Sequence, residues 1–299
     1  MAACLVDARV AERSIHHYDA KRVAHPVSKT MEHPVKACTK ALLLALVTCG
    51  AALPALADAK DDARDRWELL RSTMFDGRTV QDAGDKLRLV IPERALDAAL
   101  VPVTVELNLP TRVTAISLVV DNNPSPLAGT FHFGPAFTQK FLKMRVRVND
   151  YTFVHAVAET EDGVLYTTSQ YIKVSGGCSA PGLGNPAEVL ARIGRMQFRR
   201  TRAVEGVRVP AELMISHPNY NGMQMDSAKN SFTPARYLQN VTVATGGVSI
   251  FDLEGDISMS EDPVISFGYT PAGDGAIDVL ARDSMGGVFS RHFEALPQS

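Results

Sequence analysis

Residues 101–109 read Val-Pro-Val-Thr-Val-Glu-Leu-Asn-Leu, a run in which apolar side chains alternate with proline or polar residues. This period of two is typical of a β-strand with one buried face. Other short runs rich in β-branched and aromatic residues follow it, separated by Asp, Asn, Pro and Gly turn signals. In the first half, these runs cover residues 113–120, 144–148, 151–158 and 165–174. The pattern predicts a β-sandwich.

The second half of the chain repeats this pattern. Further predicted strands cover residues 195–200, 207–215, 238–244, 248–253, 264–269, 276–281 and 288–293. Helical spacing occurs over residues 61–74, and a short helix is predicted after Asn185, where Pro186 and Glu188 give an N-terminal capping signal. The sequence therefore predicts an all-β protein with two β-sandwich domains in tandem and a short N-terminal helix.

A segment rich in glycine and proline, residues 175–186, separates the two predicted sandwiches. It begins with Ser175, Gly176, Gly177 and Cys178, a composition that no regular element is expected to pack. We therefore expect Cys178 to be exposed on a mobile arm, with the residues before it acting as the hinge. The predicted domains are residues 58–174 and 187–299, and the arm doubles as their linker.

Residues 31–57 have the order of a secretory signal peptide. Lys36 and Lys40 precede an uncharged apolar run, and small residues precede a predicted cleavage point after Ala57. We expect the chain to start at Met31 and to be exported to the periplasm. A retained membrane anchor is the alternative, but the apolar run is shorter than the roughly 20 residues that a span needs. The mature form is expected to have no membrane segment.

Removal of residues 1–57, an upstream extension and signal peptide, would leave Cys178 as the single cysteine. Cys4, Cys38 and Cys49 would leave with the signal, so no internal disulfide is expected. An unpaired cysteine in an oxidising compartment is a candidate reactive group. The formal net charge of the whole chain is −2, which does not indicate nucleic-acid binding.

Other polar residues give weaker signals. His132, His155 and His292 have no carboxylate or cysteine at ligand spacing, so neither a metal site nor a cofactor is predicted. His217 and the following proline are expected to end a strand and begin a turn. An arginine cluster after the linker is expected to be a solvated face, the alternative being that it favours an anionic group on the nearby cysteine. Its members are Arg192, Arg195, Arg199, Arg200 and Arg202.

Two sets of residues carry a resemblance to known proteins. The first half resembles the sulfur-oxidation carrier subunit SoxY, and the second half resembles its partner subunit SoxZ. The SoxY-like residues are Ile91-Pro92, Ala95, Val101-Pro102, the segment 121–128, Lys143-Met144, Val154, the segment 156–159, and above all the segment 174–178. The SoxZ-like residues are the segment 215–218, Gly222, the segment 234–238, Asp262-Pro263, Ser266-Phe267, Asp283 and Gly286. The order resembles the fused quinoprotein dehydrogenase-associated SoxYZ-like carriers.

This resemblance implies a periplasmic carrier with two immunoglobulin-like sandwiches and no turnover of its own. Cys178 would be the covalent attachment point for a sulfur intermediate, and Ser175, Gly176 and Gly177 would be the arm hinge. The implied partners are sulfur-oxidising or quinoprotein dehydrogenase enzymes in the periplasm, and the SoxY-like and SoxZ-like halves would meet in an intramolecular interface.

One departure from the family and two alternatives bear on this function. In the separate SoxY subunit the Gly-Gly-Cys segment ends the chain, whereas here the chain continues to Ser299, so the arm would enter a partner as a loop. A non-covalent accessory or assembly protein for a quinoprotein (PQQ-dependent) alcohol dehydrogenase is the main alternative, and it would make Cys178 dispensable. A cysteine hydrolase or transferase is disfavoured, because a mobile arm fixes a nucleophile poorly.

Overall fold

A computed structural model describes residues 53–181, 184–201, 208–226 and 229–295. The predicted start at Met31 and most of the predicted signal peptide lie outside these ranges. Two α-helices are present, α1 (Leu53–Met74) and α2 (Pro186–Ala191), together with a short 3-10 helix at Gly84–Lys86. Helix α1 begins before the predicted residue 61, and α2 is capped as predicted, with the Asn185 side chain accepting from the amide of Ala187.

Seventeen strands follow one another in the described part of the chain. In order, β1 to β17 are Val80–Asp82, Leu87–Val90, Val101–Leu107, Val113–Val120, Leu127–Phe133, Phe137–Val146, Thr152–Thr160, Leu165–Ile172, Met196–Arg200, Val209–Ile215, Met225–Asp226, Ser231–Phe232, Leu238–Thr245, Val248–Gly255, Val264–Tyr269, Ile277–Asp283 and Val288–Phe293. The prediction of an all-β protein with immunoglobulin-like halves is confirmed.

The two halves are joined through both of their main sheets. One sheet has nine strands in the order β1-β8-β7-β4-β5-β14-β13-β16-β17, and the other has six in the order β2-β3-β6-β15-β10-β9. At the seam, β5 of the first half pairs antiparallel with β14 of the second, and β6 pairs antiparallel with β15. The interface between the halves is therefore an intramolecular one, made of backbone hydrogen bonds as well as side chains.

The core is continuous across this seam. Phe131 from the first half contacts Phe251 from the second, with ring centroids 5.4 Å apart, and Phe251 contacts Phe267 edge-on at 5.0 Å. All three rings are fully buried. Strand β3 supplies this core with the alternating residues that the sequence indicated, Val101, Val103, Val105 and Leu107. Burial of such large aromatic side chains is a main source of stability in a domain.

Helix α1 packs on the first half through its single aromatic residue. Trp67 stacks on the buried His155, with ring centroids 3.7 Å apart and ring planes 5° from parallel. His155 Nε2 lies 3.1 Å from Asp121 Oδ2, so a hydrogen bond to this carboxylate also fixes the orientation of the stacked imidazole. The apolar residues at helical spacing in α1 are partly buried, as expected for a helix on a sheet surface; they are Trp67, Leu70 and Met74.

We expect His155→Ala to loosen helix α1. The change removes a ring stack that contributes about 0.5–1.5 kcal/mol and leaves Asp121 without its imidazole partner. Because Trp67 is the single tryptophan, acrylamide quenching of its fluorescence measures this directly, and quenching should rise. His132→Ala, at an exposed histidine, is the matched control and should leave quenching as in the parent chain. Equal quenching in both variants would contradict the contact.

Candidate functional site

Cys178 is buried, with 1 % of its surface exposed, and the prediction of an exposed thiol on a mobile arm is wrong for this structure. The reason lies in the backbone before it. The amide of Gly176 donates to the carbonyl of Asn149 at 2.8 Å, and the amide of Gly177 donates to the carbonyl of Val148 at 3.0 Å. These bonds dock the arm along the segment that follows β6.

The two glycines of the arm have different surroundings. A Cβ atom at Gly177 would lie 2.1 Å from the carbonyl oxygen of Ala98 and 2.5 Å from that of Val148, so a side chain there is excluded while the arm is docked. Gly176 has a φ of +83° and open space around it, which suits a turn that glycine makes without strain. Glycine at 177 is thus explained by close packing. The hinge role of Ser175, Gly176 and Gly177 stays a prediction.

The second half of the chain also holds the cysteine. Asn221 Nδ2 donates to the carbonyl of Cys178 at 2.8 Å. Asn221 is itself fixed. Its backbone amide donates to Gln224 Oε1 at 3.1 Å, and its side-chain Oδ1 accepts from the backbone amide of Met223 at 3.0 Å. The sequence analysis did not single out Asn221, although Gly222 beside it belongs to the SoxZ-like residues. The thiol site is therefore built from both halves.

Arg147 is the charged residue next to the arm. It follows β6 directly, has 1 % of its surface exposed, and donates from Nη1 to the carbonyl of Gly177 at 3.3 Å. Among the described residues, its Nε and Nη2 have no hydrogen-bond partner. Sequence reasoning missed this residue, since an arginine in the alternating run 144–148 is expected to face solvent.

Burial controls the chemistry of the thiol. It raises the pKa of Cys178 to about 11, and the positive charge of Arg147 offsets this only in part. Burial also lowers the pKa of Arg147, while Glu261, Cys178 and Asp97 oppose that shift. At neutral pH the docked thiol is therefore protonated, and the thiolate that performs nucleophilic attack is scarce.

We expect the folded protein to react slowly with a disulfide reagent such as DTNB. A pKa raised from 9.0 to about 11 reduces the thiolate fraction at pH 7.5 about 100-fold, before any steric protection. The rate should keep rising as the pH passes 9, because the folded thiol deprotonates only near 11. Stopped-flow measurements on folded and urea-unfolded chains provide the comparison. Asn221→Ala should speed the folded reaction, and similar rates for folded and unfolded chains would show that the thiol is not docked in solution.

His217 belongs to a separate buried network. It follows β10 (Val209–Ile215), so the prediction that it ends a strand is confirmed. Its Nε2 lies 3.4 Å from Asp283 Oδ2, which accepts from Arg236 Nε at 2.8 Å. Burial lowers the pKa of His217. Burial raises the pKa of Asp283, but the hydrogen bonds from Arg236 and from the amide of Gly287 outweigh it and hold that pKa below its usual value. The network joins the end of β10 to the end of β16 (Ile277–Asp283).

The arginine cluster is only partly a solvated face. Arg195 and Arg199 are exposed, but Arg192 forms ion pairs with Asp262 and Glu261, and Arg200 donates to the carbonyl of Gly275 at 3.0 Å. Arg202 lies outside the described residues. Within the described part of the cluster, Arg192 and Arg200 are thus tied to neighbouring carboxylates and a carbonyl, whereas Arg195 and Arg199 agree with the predicted solvated face.

The remaining polar signals are structural. The Asn123 side chain donates to the carbonyl of Arg147 at 2.7 Å and to Ser258 Oγ at 2.9 Å, and these bonds hold the turn that follows β4. His132 lies on the surface near Glu254, and His292 Nδ1 lies 2.7 Å from Asp278 Oδ1. In the part of the chain that the structure covers, no group of three or more potential ligands could hold a metal ion. None of the helices described above is both long and apolar enough to cross a membrane.

Two immunoglobulin-like halves that share their sheets, with a cysteine buried in the segment that joins them, define a fused two-module protein. The family model for sulfur oxidation protein SoxY matches residues 71–178, and that for sulphur oxidation protein SoxZ matches residues 197–294. The chain therefore belongs to the SoxY–SoxZ family of sulfur-oxidation carriers, with a SoxY domain followed by a SoxZ domain.

Solved structures give more distant similarities. The sulfur carrier protein SoxY from Chlorobium limicola f thiosulfatophilum is 24% identical with a TM-score of 0.34, over 38% of this chain and 96% of that one. A superoxide reductase (neelaredoxin) from Ignicoccus hospitalis is 16% identical with a TM-score of 0.27, over 30% and 80% of the two chains. A β-glycosidase from Bacteroides vulgatus is 11% identical with a TM-score of 0.23, over 70% and 24%. No curated protein gives a significant match.

Proposed function

We propose that this protein is a periplasmic carrier that binds a sulfur intermediate covalently on Cys178 and presents it to partner enzymes. One observation carries the proposal: the SoxY match ends at Cys178, and the SoxZ half reaches this same residue through Asn221. The signal-like residues 31–57 support export. The carrier would have no turnover of its own and need no cofactor, since the chemistry would belong to the partners.

The docked arm is the resting state of this carrier. A buried thiol with a pKa of about 11 neither attacks nor oxidises readily, so docking would preserve a free cysteine in an oxidising compartment. Loading requires the arm to leave its site. Undocked, the thiol would regain its ordinary pKa of 9.0, at which about 1 % is thiolate at neutral pH.

The contacts that hold the arm set the cost of undocking. They are the amide bonds of Gly176 and Gly177, the Arg147 bond to Gly177 and the Asn221 bond to Cys178. At about 0.5–1.5 kcal/mol net for each, these four bonds contribute about 2–6 kcal/mol. A partner that binds the released arm can supply this free energy, so partner binding and exposure of the thiol would be coupled.

A second function, that of a non-covalent accessory protein for a periplasmic quinoprotein alcohol dehydrogenase, is favoured by the burial of Cys178. A thiol that never leaves its site would have a structural role only. The two functions differ in whether the cysteine ever carries a group.

Intact-mass spectrometry of the protein purified from its native cells tests the proposal. Cells would be grown with and without a reduced sulfur compound such as thiosulfate, and the thiols blocked at lysis. A covalent carrier should show discrete sulfur-containing additions that peptide mapping places on Cys178. A thiol that is bare under every growth condition would favour the accessory function.

A further inference from the structure

A cavity of about 740 Å³ lies between helix α1 and the strands that this helix covers. Its walls come from α1, from the turn after β4, from the start of β7 and from the end of β8. Neither Cys178 nor any residue that holds the docked arm lines it. A ligand in this cavity would therefore be distinct from any group carried on the cysteine.

Asp121 supplies the cavity with a buried carboxylate that has one unused oxygen. The residue is 2 % exposed and forms part of the cavity wall. Its Oδ2 lies 3.1 Å from His155 Nε2, but its Oδ1 has no hydrogen-bond partner among the described residues. Burial of a carboxylate oxygen without a donor is costly. The unused Oδ1 therefore indicates a ligand that donates a hydrogen bond.

The other polar side chains of the cavity wall do not supply this donor. Asn122 Nδ2 donates to the carbonyl of Tyr151 at 2.7 Å, and Thr152 Oγ1 accepts from the amide of Asn122 at 3.0 Å. Arg66 Nη1 donates to the backbone carbonyl of Asp121 at 3.5 Å, and this bond leaves the carboxylate of Asp121 free on its Oδ1 side. The missing donor must come from a bound molecule.

The charge of the cavity favours a cation. Asp62 and Asp65 on α1 line it together with Asp121, so three carboxylates face the single guanidinium of Arg66. Asp62, Asp65 and Arg66 are exposed, and their charges act through solvent. The buried charge is that of Asp121, and it attracts a cation more strongly than the exposed groups do.

Three aromatic residues complete the cavity wall: Tyr151, Phe153 and Tyr171. Phe153 and Tyr171 pack edge to face, with ring centroids 5.1 Å apart. Tyr151 and Tyr171 remain 48 % and 40 % exposed, so part of their ring surface is free for a ligand. Aromatic rings attract cations through their faces and also bury apolar groups.

We propose that this cavity binds a small organic cation, a primary ammonium ion with an apolar body. Its N–H donates to Asp121 Oδ1, and its apolar body packs on Tyr151, Phe153 and Tyr171. A metal ion fits less well, since no group of three potential ligands for one is found in the part of the chain that the structure describes. This site goes beyond the proposed function, because it does not depend on whether Cys178 carries a group.

Isothermal titration calorimetry of the full chain at pH 7 tests the site with four probes that share one ring. Cyclohexylmethylammonium is the expected ligand, and cyclohexylmethanol is its uncharged counterpart. Cyclohexylmethyl-trimethylammonium keeps the charge but has no N–H, and cyclohexanecarboxylate has the opposite charge. A charge-assisted hydrogen bond to a buried carboxylate should make the primary ammonium bind at least about tenfold more tightly than the alcohol.

Three variants assign this preference to the cavity. Asp121→Asn removes the charge and should weaken binding of the primary ammonium at least about tenfold. Asp85→Asn, at an exposed carboxylate that does not line the cavity, is the matched control and should bind as the parent chain does. Arg66→Gln removes the competing positive charge, so it should strengthen binding of the ammonium ion.

Each other result would overturn the inference. Equal affinity for the ammonium ion and the alcohol would show an apolar cavity only. Equal or tighter binding of the trimethylammonium probe would show that the rings and the overall charge suffice without Asp121 Oδ1. Preference for the carboxylate, or no binding of the primary ammonium at millimolar concentrations, would also contradict it. If Asp121→Asn does not fold, the four probes on the parent chain and on Arg66→Gln decide.

Discussion

Cys178→Ser should abolish the function of this protein in cells while leaving its fold intact. A serine hydroxyl cannot form the sulfur–sulfur bond that a carrier needs, whereas serine fits the space of the buried cysteine and keeps the hydrogen bond from Asn221 to the backbone carbonyl. The measurement is complementation of a deletion strain, with thiosulfate consumption and alcohol oxidation followed separately. We expect complete loss of the process that the carrier serves.

A control variant and a fold measurement make this result interpretable. Ser179→Ala changes the exposed neighbour of the cysteine, whose hydroxyl lies 3.3 Å from the carbonyl of Gly176, and should complement fully. Circular dichroism and urea unfolding should show that Cys178→Ser is folded. If the folded serine variant supports both processes, the cysteine is dispensable, and the accessory function replaces the carrier.

Phe251→Ala should destabilise the whole chain by about 3–5 kcal/mol, as truncation of a fully buried phenylalanine does. Phe251 lies on β14 in the second half, but it contacts Phe131 of the first half and its strand pairs with β5. Its loss should therefore lower the urea midpoint reported by Trp67, which lies in the first half. Coincident shifts of Trp67 fluorescence and far-ultraviolet circular dichroism would show a single cooperative transition.

Val288→Ala is the matched control for this experiment. Val288 is on β17 with 55 % of its surface exposed, so its truncation should change stability by less than about 0.5 kcal/mol. If Phe251→Ala left the Trp67 transition in place while the circular dichroism transition moved, the halves would unfold independently despite their shared sheets.

The strands that sequence patterns identified are those whose residues alternate or cluster locally. Residues 264–269 and 288–293 were predicted with the bounds that β15 and β17 have. Strand β5 (Leu127–Phe133) was missed because Gly129 and neighbouring small residues weaken its pattern. The reason for that glycine is non-local: a Cβ atom there would lie 2.9 Å from the carbonyl oxygen of Glu254 on the facing strand. A close approach between halves leaves no signal in the local sequence.

The site shows the same division between local and distant causes. The composition around Cys178 identified the residue and its arm, and it indicated correctly that the arm has no regular secondary structure. It did not predict the burial of Cys178, because the groups that cover the arm come from distant parts of the chain. These groups are the carbonyl of Ala98, the guanidinium of Arg147 and the side-chain amide of Asn221. Local glycine content describes the freedom of the unfolded arm, and these tertiary contacts remove it.

The seam between the halves has a consequence for how the thiol is protected. Arg147 belongs to the first half and Asn221 to the second. In a carrier assembled from two separate chains, the arm would lose the contact from the second chain whenever the chains dissociated on dilution. Here the two halves that carry Arg147 and Asn221 are covalently connected and stay together at any protein concentration. Shielding of the cysteine thus becomes a property of each single molecule, maintained even where the protein is scarce.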